Sequence, residues 1–136
     1  MICPVIHDPL FLARKSDPAT EADIRTAADL QDTLRANLDR CVGMAANMIG
    51  ERKRIIAMAK GPMVIAMLNP KILSRTGEYE TEESCLSLEG TRKATRFRAI
   101  RLSWQDMRMR EHVGMLEGFQ AQIVQHEIDH CDGKLI

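Results

Sequence analysis

The chain has 136 residues, 45% hydrophobic and 28% charged, with 19 basic and 19 acidic side chains in balance. That length buries a core without disulfide staples, and zero net charge supplies no field favouring nucleic acid or an anionic membrane. No apolar run approaches the roughly 20 residues of a bilayer span, and Cys3, Cys41, Cys85 and Cys131 form no C-x-x-C pair, which suits a reducing, cytoplasmic setting.

One domain over residues 1–136 is expected. Residues 1–19 hold Pro4, Pro9 and Pro18 and read as an extended, irregular arm. Thr20 and Asp23 open a helix running to about Arg40, with Ile24, Ala27, Leu30, Leu34 and Leu38 at three- and four-residue steps. Residues 41–50 are small and glycine-bracketed, a turn whose backbone comes close to something. Arg54–Met58, Val64–Leu68 and Lys71–Leu73 read as short strands divided by Gly61-Pro62 and Asn69-Pro70. Residues 78–90 look irregular and acid-rich. Arg98–Trp104 alternates as a half-buried strand, and Met107–Leu116 is its hairpin partner. The basic clusters Arg52–Arg54 and Arg92–Arg101 read as solvated surface, because no stacking aromatics interleave them. A final helix spans Glu117 to about Cys131. A helix, mainly antiparallel strands and a C-terminal helix make the class α+β.

That last helix carries Gln125-His126-Glu127-Ile128-Asp129-His130. Histidines four residues apart share one helical face and can reach a single ion. Glu127 lies beside that face, where it can exchange protons with activated water. The motif closes six residues before Ile136, so the third ligand is expected upstream, and metalloproteases that take theirs downstream are excluded. Upstream candidates are His7, Cys41, Cys85, His112 and several carboxylates. Phe119, Gln122 and Ile123 fall on the same side as the histidines, so an apolar patch sits beside the ligands. Cys3, Cys41 and Cys131 read as packing residues, and His7 and His112 as exposed and without partners.

Three segments then match in order. Cys41-Val42-Gly43-Met44-Ala45-Ala46-Asn47-Met48, Glu83-Ser84-Cys85-Leu86-Ser87 and residues 125–130 resemble the three motifs of the peptide deformylases, metalloenzymes that remove the N-formyl group from new bacterial polypeptides. Asp8-Pro9-Leu10, Leu68-Asn69-Pro70, Gly118 with Ala121, and Gly133-Lys134-Leu135 resemble further family features, so the similarity covers nearly the whole chain. The resemblance implies Cys85, His126 and His130 as ligands with a fourth position open to water, as in catalytic sites. It implies Fe(II) as the native ion, with zinc or nickel able to replace it, and a Cys85 thiolate open to oxidation. It makes Glu127 the general base and the Leu86 N–H an oxyanion donor. Gly43 would pair its backbone with an extended peptide, Val42, Phe119 and Ile123 would surround a methionine side chain, and Ser84 and Met48 would face the substrate. The implied partner is an N-formylated nascent peptide, with the ribosome surface as its source.

One departure bears on rate. The family carries a glutamine where this chain has Met48, and a thioether donates no hydrogen bond. Loss of one oxyanion donor costs about 2.7–4 kcal/mol of transition-state stabilisation. Asn47 stands next to it with an amide to offer. A binding-only protein and a hydrolase of another small N-acyl amide remain as alternative readings.

Overall fold

The computed structural model describes residues 1–136. The N-terminal arm is irregular except for one helical turn, α1 (Pro9–Leu12), with Pro9 at its start and the Asp8 side chain accepting the Leu10 N–H. Thr20 and Asp23 cap each other's backbone, the Asp23 carboxylate accepting the Thr20 N–H at 2.8 Å. A single 3₁₀ turn then leads into α2 (Ile24–Ala36), which buries Ala27, Leu30 and Leu34. The helix stops four residues short of Arg40. Asn37 ends it by donating its side-chain amide to the Thr33 carbonyl while its own carbonyl turns back to Arg40 and Cys41. Leu38 is thereby left exposed.

Five antiparallel strands follow in spatial order: β1 (Gly43–Ala45), β2 (Ile55–Lys60), β3 (Met63–Cys85), β4 (Leu88–Gln105) and β5 (Glu111–Glu117). Residues 41–50 thus form a short strand and a 3₁₀ turn, ended by Gly50 in the left-handed region. β2 reads Ile-Ile-Ala-Met-Ala because both its faces are covered. Ile55 and Ala57 pack with α2 in one apolar cluster, and Ile56 and Met58 pack in a second cluster with the final helix, α3 (Gly118–Cys131). The architecture is α+β, with the antiparallel sheet between two helices.

Two expectations are corrected. Asn69-Pro70 does not divide two strands. β3 passes through it on a bulge, with Asn69 at φ 51°. The Asn69 amide bonds Ala19 on both sides and also Gln105, so the left-handed residue is held from three directions. Residues 78–90 are not irregular. They form the end of β3, a two-residue turn at Leu86-Ser87 and the start of β4. Two acidic residues of β3 stand opposite basic ones on β4, Glu82 opposite Lys93 and Glu83 opposite Arg92. Arg98–Trp104 lies inside β4 with Ile100 and Leu102 fully buried, and β5 is its hairpin partner.

Candidate metal centre

Cys85 is the last residue of β3, held by its pairing with Leu88 across the tight turn. α3 crosses the same region and presents His126, Glu127 and His130 from one side, all buried. Donor atoms of Cys85, His126 and His130 lie within 4.8 Å of one another. The two histidine Nε2 atoms are 3.1 Å apart, close to the roughly 3.3 Å that two nitrogens at 2.0–2.1 Å from a tetrahedral ion would show. One sulfur and two imidazoles are a donor set for a late divalent metal. Burial leaves His130 Nδ1 and Glu127 Oε1 without partners. The residues therefore fit an ion.

The two rings differ in charge preference without the ion. Burial opposes charge on His126, but Glu127, Cys85 and Glu83 outweigh it and push its pKa up to about 10. Burial and the neighbouring His126 push His130 down to about 3. Glu83 holds His126 from behind, its Oε1 2.8 Å from Nδ1, which turns Nε2 toward Cys85 and His130. Burial pushes Glu83 up, yet hydrogen bonds from His126, Arg96 and Gln122 hold it near 2.

Glu127 is 4% exposed, and burial pushes its carboxyl up to about 7, partly offset by His126. Gly43 lies directly against it. A Cβ at position 43 would stand 2.7 Å from Glu127 Oε2 and 2.7 Å from Ile123 Cγ2, so only glycine lets β1 come this near the Glu127 carboxyl. β1 pairs only with β2. Because the Val42 carbonyl accepts from Ala59, the ladder's alternation turns the Gly43 N–H and C=O outward to the free edge.

A cleft of about 630 Å³ opens here. Val42, Gly43, Ser84, Cys85, Leu86, Phe119, Ile123, His126 and Glu127 line it, and His130 lies behind with no exposed surface. The Leu86 N–H makes no backbone hydrogen bond. Phe119 is 62% exposed, an apolar ring standing at the cleft wall. Met48 is not brought to this lining. It belongs to the α2-side core, and its Sδ accepts the outward Ala45 N–H at 3.4 Å. The neighbouring Asn47 donates to the His130 carbonyl at 3.0 Å, which commits its amide to anchoring α3.

Sequence reasoning missed several residues. Cys41 lines the cleft, its thiol pushed up to about 11 by burial, Glu127 and Cys85. His7 is exposed but its Nδ1 meets the Ser87 carbonyl at 3.0 Å, and His112 pairs with Asp106 and stacks on Trp104. Arg96, placed in a solvated basic run, is 5% exposed. Only the two-residue alternation of buried positions along β4, Ala94, Arg96, Ile100 and Leu102, could have signalled it, and exposed Arg98 interrupts that alternation.

The comparisons agree with this geometry. The family model for polypeptide deformylase matches residues 3–136. A peptide deformylase from Clostridium beijerinckii is 49% identical over 136 residues, covering all of both chains. The crystal structure of peptide deformylase from Thermus thermophilus superposes with a TM-score of 0.86 at 35% identity, over 99% of this chain and 83% of that one. A Met-Ala-Ser-bound peptide deformylase from Acinetobacter baumannii superposes with a TM-score of 0.87 at 26% identity, over 99% and 97% of the two chains. A sulfur and two imidazoles gathered beside a buried carboxyl, on a chain matched from end to end, make this protein a member of the polypeptide deformylase family.

Proposed function

We propose that the cleft hydrolyses the formamide of N-formyl-methionyl peptides, releasing formate and a free peptide amine. The observation that carries this is the convergence of Cys85, His126 and His130 within 4.8 Å, beside buried Glu127 and an open strand edge. A divalent ion, which Cys85, His126 and His130 would hold, would supply Lewis-acid polarisation and lower the pKa of water. Iron(II) is the ion this reading favours, with zinc or nickel as substitutes.

The chain's own residues do the rest. The peptide backbone adds to β1 through the outward N–H and C=O of Gly43, beside Ser84. Its first side chain covers the exposed ring of Phe119 against Ile123 and Val42, removing apolar surface from water. The Leu86 N–H points a free donor at the formyl oxygen as negative charge develops there. Glu127, with its carboxyl raised to about 7, takes a proton from the attacking water and hands it to the departing nitrogen. Water and the neutral formamide become formate and a protonated amine, so both protons of the water end on the departing nitrogen. The Met-Ala-Ser complex of the Acinetobacter relative supports a peptide that begins with methionine.

The general base and all three ligands favour an enzyme over a binding-only protein, and the thioether of Met48 in place of a glutamine amide favours a slower one. One domain, residues 1–136, carries the whole activity in this reading. No helix is long and apolar enough to cross a membrane, and four free thiols suit the cytoplasm. The ribosome surface, from which such peptides emerge, is the further partner implied.

The test is formate release from formyl-Met-Ala-Ser by anaerobically prepared, iron-loaded protein. Turnover is expected, and Glu127→Ala should abolish it while metal content stays at one ion per chain. Full activity in Glu127→Ala would remove the general-base assignment, and an absence of turnover in the unsubstituted protein would favour the binding-only reading.

A further inference from the structure

Behind His126 runs a buried chain of charges that no step above uses. His126 Nδ1 meets Glu83 Oε1 at 2.8 Å. Arg96 donates from Nη2 to Glu83 Oε1 at 2.7 Å and from Nε to Glu83 Oε2 at 2.9 Å. Its remaining nitrogen, Nη1, donates to Asp129 Oδ2 at 2.7 Å. The Arg96 and Glu83 side chains are 5% and 6% exposed, and Asp129 is 18% exposed. Three elements meet in this chain: β3 supplies Glu83, β4 supplies Arg96, and α3 supplies both Asp129 and His126. Lys134 also reaches Asp129, at 3.6 Å, but its side chain is 66% exposed and solvent screens it.

The charges can be counted. Glu83 and Asp129 place two carboxylates around one guanidinium, which leaves one negative charge behind the His126 ring. A divalent cation brings two positive charges, and a Cys85 thiolate cancels one. The buried chain adds a further negative charge behind His126, separate from the Glu127 carboxyl that exchanges the proton. We propose that Asp129, acting through Arg96 and Glu83, is a positioning residue that completes the charge of the metal centre and strengthens His126 as a donor. This rests on the metal-centre reading given under the proposed function. Its physical basis is the low dielectric of the site, where a buried carboxylate is felt far more strongly than in water. Without Asp129, the guanidinium leans on Glu83 alone. Glu83 then accepts the His126 N–H more weakly, and His126 Nε2 gives less electron density to the ion.

Zinc alone is the probe, with affinity read by competition against a chromophoric chelator near neutral pH. Asp129→Asn, nearly isosteric, is expected to weaken zinc about 10- to 100-fold, the range typical when a ligand histidine loses its supporting partners. Asp129→Glu should keep affinity near that of the unsubstituted protein, and so should Lys134→Ala. The double variant Asp129→Asn with Arg96→Met removes one charge of each sign, so it should regain affinity over Asp129→Asn alone. A purely structural role predicts the opposite, a further loss. Asp129→Asn with unchanged zinc affinity overturns the inference, as does a double variant weaker than the single. Should Asp129→Asn not fold, Arg96→Lys reports the same coupling. It keeps the charge and loses the fork that joins the two carboxylates, so unchanged affinity in it overturns the inference equally. If the unsubstituted protein binds no zinc, the metal-centre reading falls first. If it binds zinc and the variants bind as well as it does, only the role of Asp129 falls.

Discussion

Gly43 and Met48 show how single atoms tune one strand edge. At position 43 the space for a Cβ is already taken by the Glu127 carboxylate and the Ile123 side chain, each 2.7 Å away. Gly43→Ala must displace one of them. Overpacking of this kind costs about 1–3 kcal/mol, and here the displaced groups include the carboxyl proposed as the base. We expect Gly43→Ala to lower stability by that amount in urea unfolding and to cut kcat far more than it raises KM. At position 48 the thioether takes up the Ala45 N–H and offers no donor of its own. A glutamine there can accept the same N–H through its carbonyl oxygen and keep its NH₂ free. Met48→Gln is therefore expected to raise kcat on a formyl-methionyl peptide, by at most the roughly 10²–10³-fold that one oxyanion donor is worth. An unchanged kcat would mean that a side chain at position 48, set in the α2-side core outside the cleft lining, does not reach the charge, or that Leu86 and a bound ion already hold it.

At the scale of elements, α3 is docked as much by polar bonds as by its apolar residues. β5 covers β4 only as far as the Glu117–Ala99 pair, so β4 becomes an edge at Phe97. Gln125 takes the place of the missing strand. Its Oε1 accepts the Phe97 N–H and its Nε2 donates to the Phe97 carbonyl, each at 2.9 Å, with a further bond to Ala121. Gln125→Ala should cost about 1–3 kcal/mol, since it strips those bonds from groups with no substitute. Gln125→Glu, which still accepts but cannot donate, should fall between the two. Urea midpoints at fixed pH decide this, and equal midpoints for all three proteins would show that water replaces the amide without loss. The same contrast between local and long-range bonds governs what a sequence can reveal of such elements. α3 and its histidine pair are legible because their spacing is a property of one helix. The β3–β4 hairpin is not, because Glu82 and Lys93 read as strand residues only once they stand opposite each other. Arg96 is hidden for the same reason. Its burial is set by Glu83 and Asp129, which lie 13 and 33 residues away.

Across the whole molecule, the arm before α2 ties the first two motif segments to each other and to the end of α3. Ile6 N–H bonds the Met48 carbonyl at 2.7 Å, His7 meets Ser87, and Ser16 N–H bonds the Cys131 carbonyl at 2.9 Å. With the sheet covered on both faces, this closes the fold around a carboxyl that would be more stable in water. Glu127 is that group, and its cost can be measured through pH. Its carboxyl titrates at about 7 in the folded chain against an ordinary 4.5, chiefly because burial disfavours the charged form. As pH rises from 4.5 to 7, the unfolded chain releases this proton first and binds fewer protons than the folded one, so stability falls. The penalty is absent below the lower pKa and complete above the upper one. Glu127→Gln removes the charge without changing the shape. With metal chelated, we expect it to raise the unfolding free energy by about 1–3 kcal/mol at alkaline pH, and to change it little in acid. Urea unfolding of both proteins across that window tests it. A gain equal at both ends would trace the effect to packing, whereas a gain that grows with pH would show that the base is kept for chemistry at the expense of stability.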